Sequence, residues 1–178
     1  MWRQRFGRGF GGRHRGERLL YGVLAGVNGG ACMTVLRMTA HRLGVVDRMP
    51  PQVLEEWLLT RTRAGRRLSD ATHQLLDQVL HLAISGGLGL VYSALRSRRS
   101  TPVIGGLFGL GIWAVAFAAI LPRLGATRHP RNSRAAENGV NIAAHALYGV
   151  VTGLLSAELA SQERGTTSDV ARRRLRAG

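Results

Sequence analysis

His73, Asp77 and His81 stand four residues apart in "HQLLDQVLHLAISGGLGLVYSAL", and Glu137, Asn141 and His145 repeat that spacing in "ENGVNIAAHALYGVVTGLLSAEL". Four-residue steps place each trio on one face of a helix. Imidazole and carboxylate are ligand types for Zn, Fe or Mn. Groups at i, i+4 and i+8, however, span about 12 Å along a helix axis, too far for one ion to hold all three. One ion could take Asp77 with His81, or His81 with His145 from a second helix. A haem between two axial His would fit a helical bundle, but no attachment motif accompanies these residues. An unperturbed imidazole titrates near about pH 6.5. The cluster could therefore respond to acidification, with Asp77 beside His73 and His81 and Glu137 near His145. The remaining reading is structural, with these groups capping helices and hydrogen-bonding them together. No cofactor is expected. The signatures of soluble enzymes are missing: no "GK[ST]" phosphate loop, no "GxSxG" elbow and no "HExxH" pair, so no enzymatic activity is expected either.

The elements that carry the two trios are set by where charge is absent. Leu19–Leu36 is 18 residues without a charge, Gln78–Leu95 another 18, Ser100–Pro122 is 23 and Asn138–Ala157 is 20. A membrane-spanning helix needs about 20 mostly apolar residues. A soluble helical bundle would carry charges on every outward turn, and these runs carry none. The expected fold class is therefore all-α, a membrane protein of four transmembrane helices. A single cysteine, Cys32, excludes an intrachain disulfide and a Cys-cluster metal site.

All 25 basic residues are arginine, against 10 acids, for a net charge of +15. Such a balance suits nucleic acid or an anionic membrane surface. The adjoining spans make the anionic headgroups of a lipid bilayer the expected partner, and nucleic acid is not expected. Residues 1–18 carry Arg3, Arg5, Arg8, Arg13, Arg15 and Arg18 against Glu17 alone. The tight loop after the second run carries Arg96, Arg98 and Arg99 and no acid, and the C-terminal tail carries five more arginines. With four spans these three regions share one side, and the positive-inside rule places it in the cytoplasm. Both termini are therefore expected in the cytoplasm. Reporter fusions at Thr60 and Pro130 are expected to behave as periplasmic and those at Arg98 and Gly178 as cytoplasmic; finding Arg98 outside would reverse the topology.

The basic start followed by an apolar run reads as an uncleaved signal anchor, since 18 residues exceed a usual cleavable core. Three regions follow: a disordered Arg/Gly-rich tail over 1–18, a transmembrane domain over 19–159 and a basic disordered tail over 160–178. Between the first two spans, "PPQVLEEWLLTRTRAG" opens on Pro50-Pro51. It sets Val53, Leu54, Trp57 and Leu58 on one face, opposite Glu55 and Glu56. A short amphipathic helix at the membrane interface is expected there, and Ser69-Asp70 reads as the N-cap of the next helix.

The two trios also belong to a repeat. Sliding the first segment by 64 residues sets His73 on Glu137, Asp77 on Asn141, His81 on His145 and Gly89 on Gly153. The steps Gly22-x3-Gly26 and Gly105-x3-Gly109 correspond at an offset of 83. The chain thus reads as two helix pairs of the same orientation, a parallel repeat. Membrane helices associate through small residues and hydrogen bonds, so Gly22, Gly26, Gly89, Gly105, Gly109 and Gly153 are the expected packing positions. The polar stripes should face the bundle interior near its outer end, where ionisable groups are functional candidates.

"GVLAGVNGGACMTVLRM", "MPP", "LPRLGATRHPRN" and "IAAHALYGVVTG" together resemble the YagU-like family of bacterial inner-membrane proteins, across residues of roughly 20–158. The resemblance implies a small multi-span protein located in a bacterial inner membrane, with no established biochemical activity, loosely connected with acid tolerance, and it assigns no catalytic residues. Three functions stay open: a structural or accessory role in the envelope or a larger membrane complex, an envelope response to acid stress, and a small oligomeric transporter or channel. Further copies of the chain, or the subunits of such a complex, are the protein partners expected.

Overall fold

The structure is a computed structural model, and it describes residues 7–46, 69–95, 101–127 and 129–176. The amphipathic helix expected over 50–65 and the arginine loop at 96–99 lie outside these residues. Apart from short turns, the described chain is helical, and no strand occurs among the described residues. We number the long helices α1 (Gly7–Arg42), α2 (Asp70–Leu95), α3 (Pro102–Arg123) and α4 (Ala135–Arg176). Each contains a stretch long and apolar enough to cross a membrane, so the four expected spans are present.

Local chemistry sets the helix ends. The Ser69 hydroxyl accepts from the Thr72 backbone N–H at 3.3 Å, the expected cap of α2. Thr101 caps α3 in the same way, accepting from Ile104, and Pro102 occupies the first turn, where a missing N–H costs nothing. α1 and α3 end alike. Gly44 and Gly125 adopt φ of +69° and +70°, and their N–H groups return to His41 and Pro122. The next residues, Val45 and Ala126, reach back to Ala40 and Leu121. This left-handed glycine closure satisfies the last carbonyls of each helix.

α3 is not wound evenly. Pro102–Trp113 is α-helical, Ala114–Ile120 is a π-helix and Leu121–Arg123 is α-helical again. Pro122 lacks an N–H and its ring crowds the carbonyl one turn back, so the wider winding just before it relieves that clash.

α1 packs along α2, α3 along α4, and α1 along α4, whereas α2 and α3 make few contacts. The Tyr92 and Phe108 rings, with centroids 5.1 Å apart, are one of them. The outside is apolar: Leu20, Val35, Leu75, Val103 and Leu107 are all more than half exposed. The inside mixes Met33, Ala144 and Tyr148 with Arg37, Asp77, Ser85, His145, Thr152 and Ser156, all buried. An apolar exterior around small and polar joints suits a bilayer, where helices gain nothing by burying leucine from lipid.

The glycines make the joints. Gly26 lies against Ser85 O and within 2.8 Å of Gly89 Cα as measured from the position a Cβ would take. Gly109 lies likewise against His145 O and Gly149 N, and Gly22 and Gly105 face the carbonyls of Gly89 and Gly149. The helix pairing is the expected one, but its register is corrected by a turn. Contacts match when Ser85 and Gly89 are equated with His145 and Gly149, positions 60 apart rather than 64. His81 then corresponds to Asn141 and Asp77 to Glu137, and the two His are not equivalent. Gly153 still packs on α3, its Cβ position 3.1 Å from Gly105 Cα.

Within the tails read from the sequence as disordered, 1–18 and 160–178, the described backbone continues α1 outward from Gly7 and α4 on to Arg176; residues 1–6 and 177–178 lie outside the described residues. Extending an existing helix adds a hydrogen bond per residue without a new nucleus.

Candidate functional site

Between the two helix pairs lies a cavity of about 630 Å³, to which all four helices contribute. Most of its wall is apolar: Leu88, Phe108, Ile112, Val115 and Phe117 among others. Its polar groups are Arg37 from α1, His81 and Ser85 from α2, and His145 and Tyr148 from α4. The π-wound turn of α3 supplies Val115, Ala116 and Phe117 to the opposite wall, and π-helical turns recur at functional sites.

Arg37 is the centre of the polar end. It is 4% exposed. One terminal nitrogen, Nη2, donates to Asn141 Oδ1 at 3.2 Å, and its Nε is buried without a partner. A buried guanidinium held by one neutral amide is an incomplete arrangement, because isolated buried charge is costly and Arg offers five donors in a fixed plane. The imidazoles are better satisfied. His81 Nε2 donates to Gly30 O at 3.3 Å, and His145 Nδ1 donates to Asn141 O at 2.8 Å. A carbonyl can only accept, so these bonds fix which ring nitrogen carries a proton. In the neutral ring the other nitrogen is an acceptor. The Phe117 ring meets His145 edge-on at 5.2 Å. Tyr148 donates its hydroxyl to Ser85 O at 2.7 Å and so ties α4 to α2 across the bundle.

Of the expected cluster, the fold brings His81, His145 and Asn141 together around Arg37. Asp77 is buried one turn along α2 from His81 and is engaged in an interaction of its own. His73, also engaged, and Glu137 are half-buried and lie outside the cavity wall. Among the described residues no group of three His, Cys, Asp or Glu is arranged to hold a metal ion. Arg37 was not among the expected site residues. The signal for it was present: Gly26, Gly30, Met33 and Arg37 follow each other by four, three and four residues, one continuous helix face.

A bundle with large apolar side chains outside, several polar groups buried inside and four bilayer-length helices defines an integral membrane protein of the all-α class. Comparison with protein families, with curated proteins and with solved structures finds no match.

Proposed function

We propose that the protein is an accessory component of a bacterial inner membrane that holds an anionic group inside its bundle, with Arg37 as the receptor. The observation that carries this reading is the guanidinium itself, buried in a cavity wall with an unpartnered Nε and a single hydrogen bond to a neutral side chain. An anion is the complement such a group lacks, and charge-assisted bonds to guanidinium are the strong ones. His81 and His145 line the same cavity and add polar contacts. The orientation with both termini in the cytoplasm, and membership of the YagU-like family, belong to the same proposal. They rest on the arginine distribution and on the short motifs quoted above. An acid-stress role would use the same His residues and a transporter role the same cavity, but neither explains the orphaned guanidinium as directly.

The test is thermal unfolding of the full chain in zwitterionic nanodiscs, titrated with acetate, phosphate and octanoate. A ligand that binds only the folded state stabilises it by about 2.7 kcal/mol at a hundred times its Kd. At least one of the three anions is expected to raise the unfolding midpoint of the wild type and to leave Arg37→Gln unmoved. If none raises it, or if Arg37→Gln responds equally, Arg37 is not an anion receptor.

A further inference from the structure

The cavity has a mouth, and its position says where a ligand comes from. Ile84 on α2 and Val115 on α3 both line the cavity and are 45% and 57% exposed. They lie on the two helices that make few contacts with one another. The opening is therefore lateral, in the apolar mid-length of two spans, and it faces the region where lipid chains lie. Near the other end of the seam, Tyr92 and Phe108 meet and close the gap between the helices.

We propose that the cleft binds a single-chain anionic lipid of the fatty-acid class. The lipid enters sideways between α2 and α3, sets its carboxylate on Arg37 and lays its chain against Ile84, Leu88, Phe108, Ile112 and Val115. This deepens the anion-receptor reading and rests on it. Three features select the class. The wall beyond the polar end is apolar, which suits a hydrocarbon tail and not a small soluble anion. The volume of about 630 Å³ falls in the range of about 300–1,000 Å³ typical of sites for one small ligand, which suits one chain and not a two-chain phospholipid. Arg37 lines the cavity with Nε unpartnered and Nη2 held only by the neutral Asn141 amide, so the guanidinium keeps unused N–H donors for a carboxylate, the partner to which its charge-assisted bonds are strong. Entry from the bilayer also spares the anion a passage through the packed joints of α1 with α2 and of α3 with α4, where backbones meet at glycine.

The experiment uses the full chain in zwitterionic nanodiscs and a palmitate analogue carrying a diazirine in its chain, with crosslinks mapped by mass spectrometry. Label is expected to concentrate on residues 84–91 and 108–117. Oleate should displace it, whereas oleyl alcohol, which has the chain without the charge, and acetate, which has the charge without the chain, should compete at least tenfold less well. Arg37→Gln should lose the preference for oleate over the alcohol. Val115→Trp, which fills the mouth and leaves Arg37 intact, should cut labelling at least tenfold, whereas Leu107→Trp, on an exposed position outside the cavity wall, should not. Each variant is first shown to elute as a monodisperse species, so loss of the oleate preference in Arg37→Gln or loss of label in Val115→Trp is each enough to decide. Label scattered evenly over all exposed apolar faces, or equal competition by the alcohol, overturns the proposal. If that occurs while a soluble anion still stabilises the wild type through Arg37, the lipid origin fails and the anion receptor stands. If neither effect is seen, both readings fail. Label on the expected residues that only a co-purifying protein displaces would assign the cleft to a partner helix instead.

Discussion

Gly109→Leu is expected to separate α3 from α4 and to leave a protein that unfolds well below the wild type or fails to accumulate. A Cβ at Gly109 would press on His145 O and come within 2.9 Å of His145 C and 3.0 Å of Gly149 N. All three are backbone atoms, so no rotamer change can make room. Overpacking costs typically about 1–3 kcal/mol where side chains can adjust, and here the helices themselves must move. The smaller change Gly109→Ala is the sharper measurement. Alanine gains up to about 1 kcal/mol over glycine in a helix interior, so a net loss of stability isolates the clash. Gly87 is the control: it lies on α2 with nothing within 4 Å of its Cβ position, and Gly87→Ala should be neutral or stabilising. Denaturant unfolding in detergent micelles compares the three variants, and Gly109→Ala as stable as Gly87→Ala would mean that α3 and α4 do not meet as described.

Arg37→Met should have the opposite sign: the ligand-free protein should become more stable. Arg37 is 4% exposed, holds one bond to Asn141 and leaves Nε unpartnered. Taking a charge out of water costs several kcal/mol, and exchanging buried ionic groups for apolar ones of similar volume is often neutral or stabilising, by up to about 4 kcal/mol. A gain of about 1–3 kcal/mol is expected for Arg37→Met on that basis, together with loss of every anion response. Arg37→Lys keeps the charge and loses the planar fork. Its stability should stay near wild type while its preference for carboxylates falls. If Arg37→Met destabilises by a comparable amount, the cation serves the fold rather than a ligand.

These two residues also show what the sequence could and could not convey. The spans were legible because a bilayer forbids unpaired charge over some twenty residues, and four uncharged runs leave one interpretation. The small-residue joints were legible for a related reason: Gly22-x3-Gly26 and Gly105-x3-Gly109 sit on one face at helical spacing. The register between the pairs was not. Aligning His81 with His145 matched letters, but contact is set by which backbone positions can approach, and glycines one turn apart permit either alignment. The placement of Gly89 against Gly26, and of Gly149 against Gly109, decides it. Arg37 was hidden by its position at the edge of an uncharged run, where an arginine reads as a loop charge. Only the orientation of its helix face, fixed by the packing of Gly26 and Gly29 against their neighbours, turns it inward. His81 and His145 were found by their spacing along single helices, whereas their common neighbour lies on a third, and no pattern along one helix reports a meeting of three.

The tightest joints connect helices that follow each other in the chain, α1 with α2 and α3 with α4. Each pair can therefore close as a hairpin while it is being inserted, the first before the second has left the ribosome. The cavity does not exist in either hairpin; its polar end is assembled from Arg37 and His81 of the first and His145 of the second. Before the hairpins dock, Arg37 would lack its Asn141 partner on α4. A lipid anion that pairs with it at that stage would be carried into the bundle as the second hairpin arrives, becoming a structural component from birth rather than a later visitor. Occupancy of the cleft would then record how the protein was made, and refolding in lipid lacking such anions would yield a bundle with the same helices and a different interior.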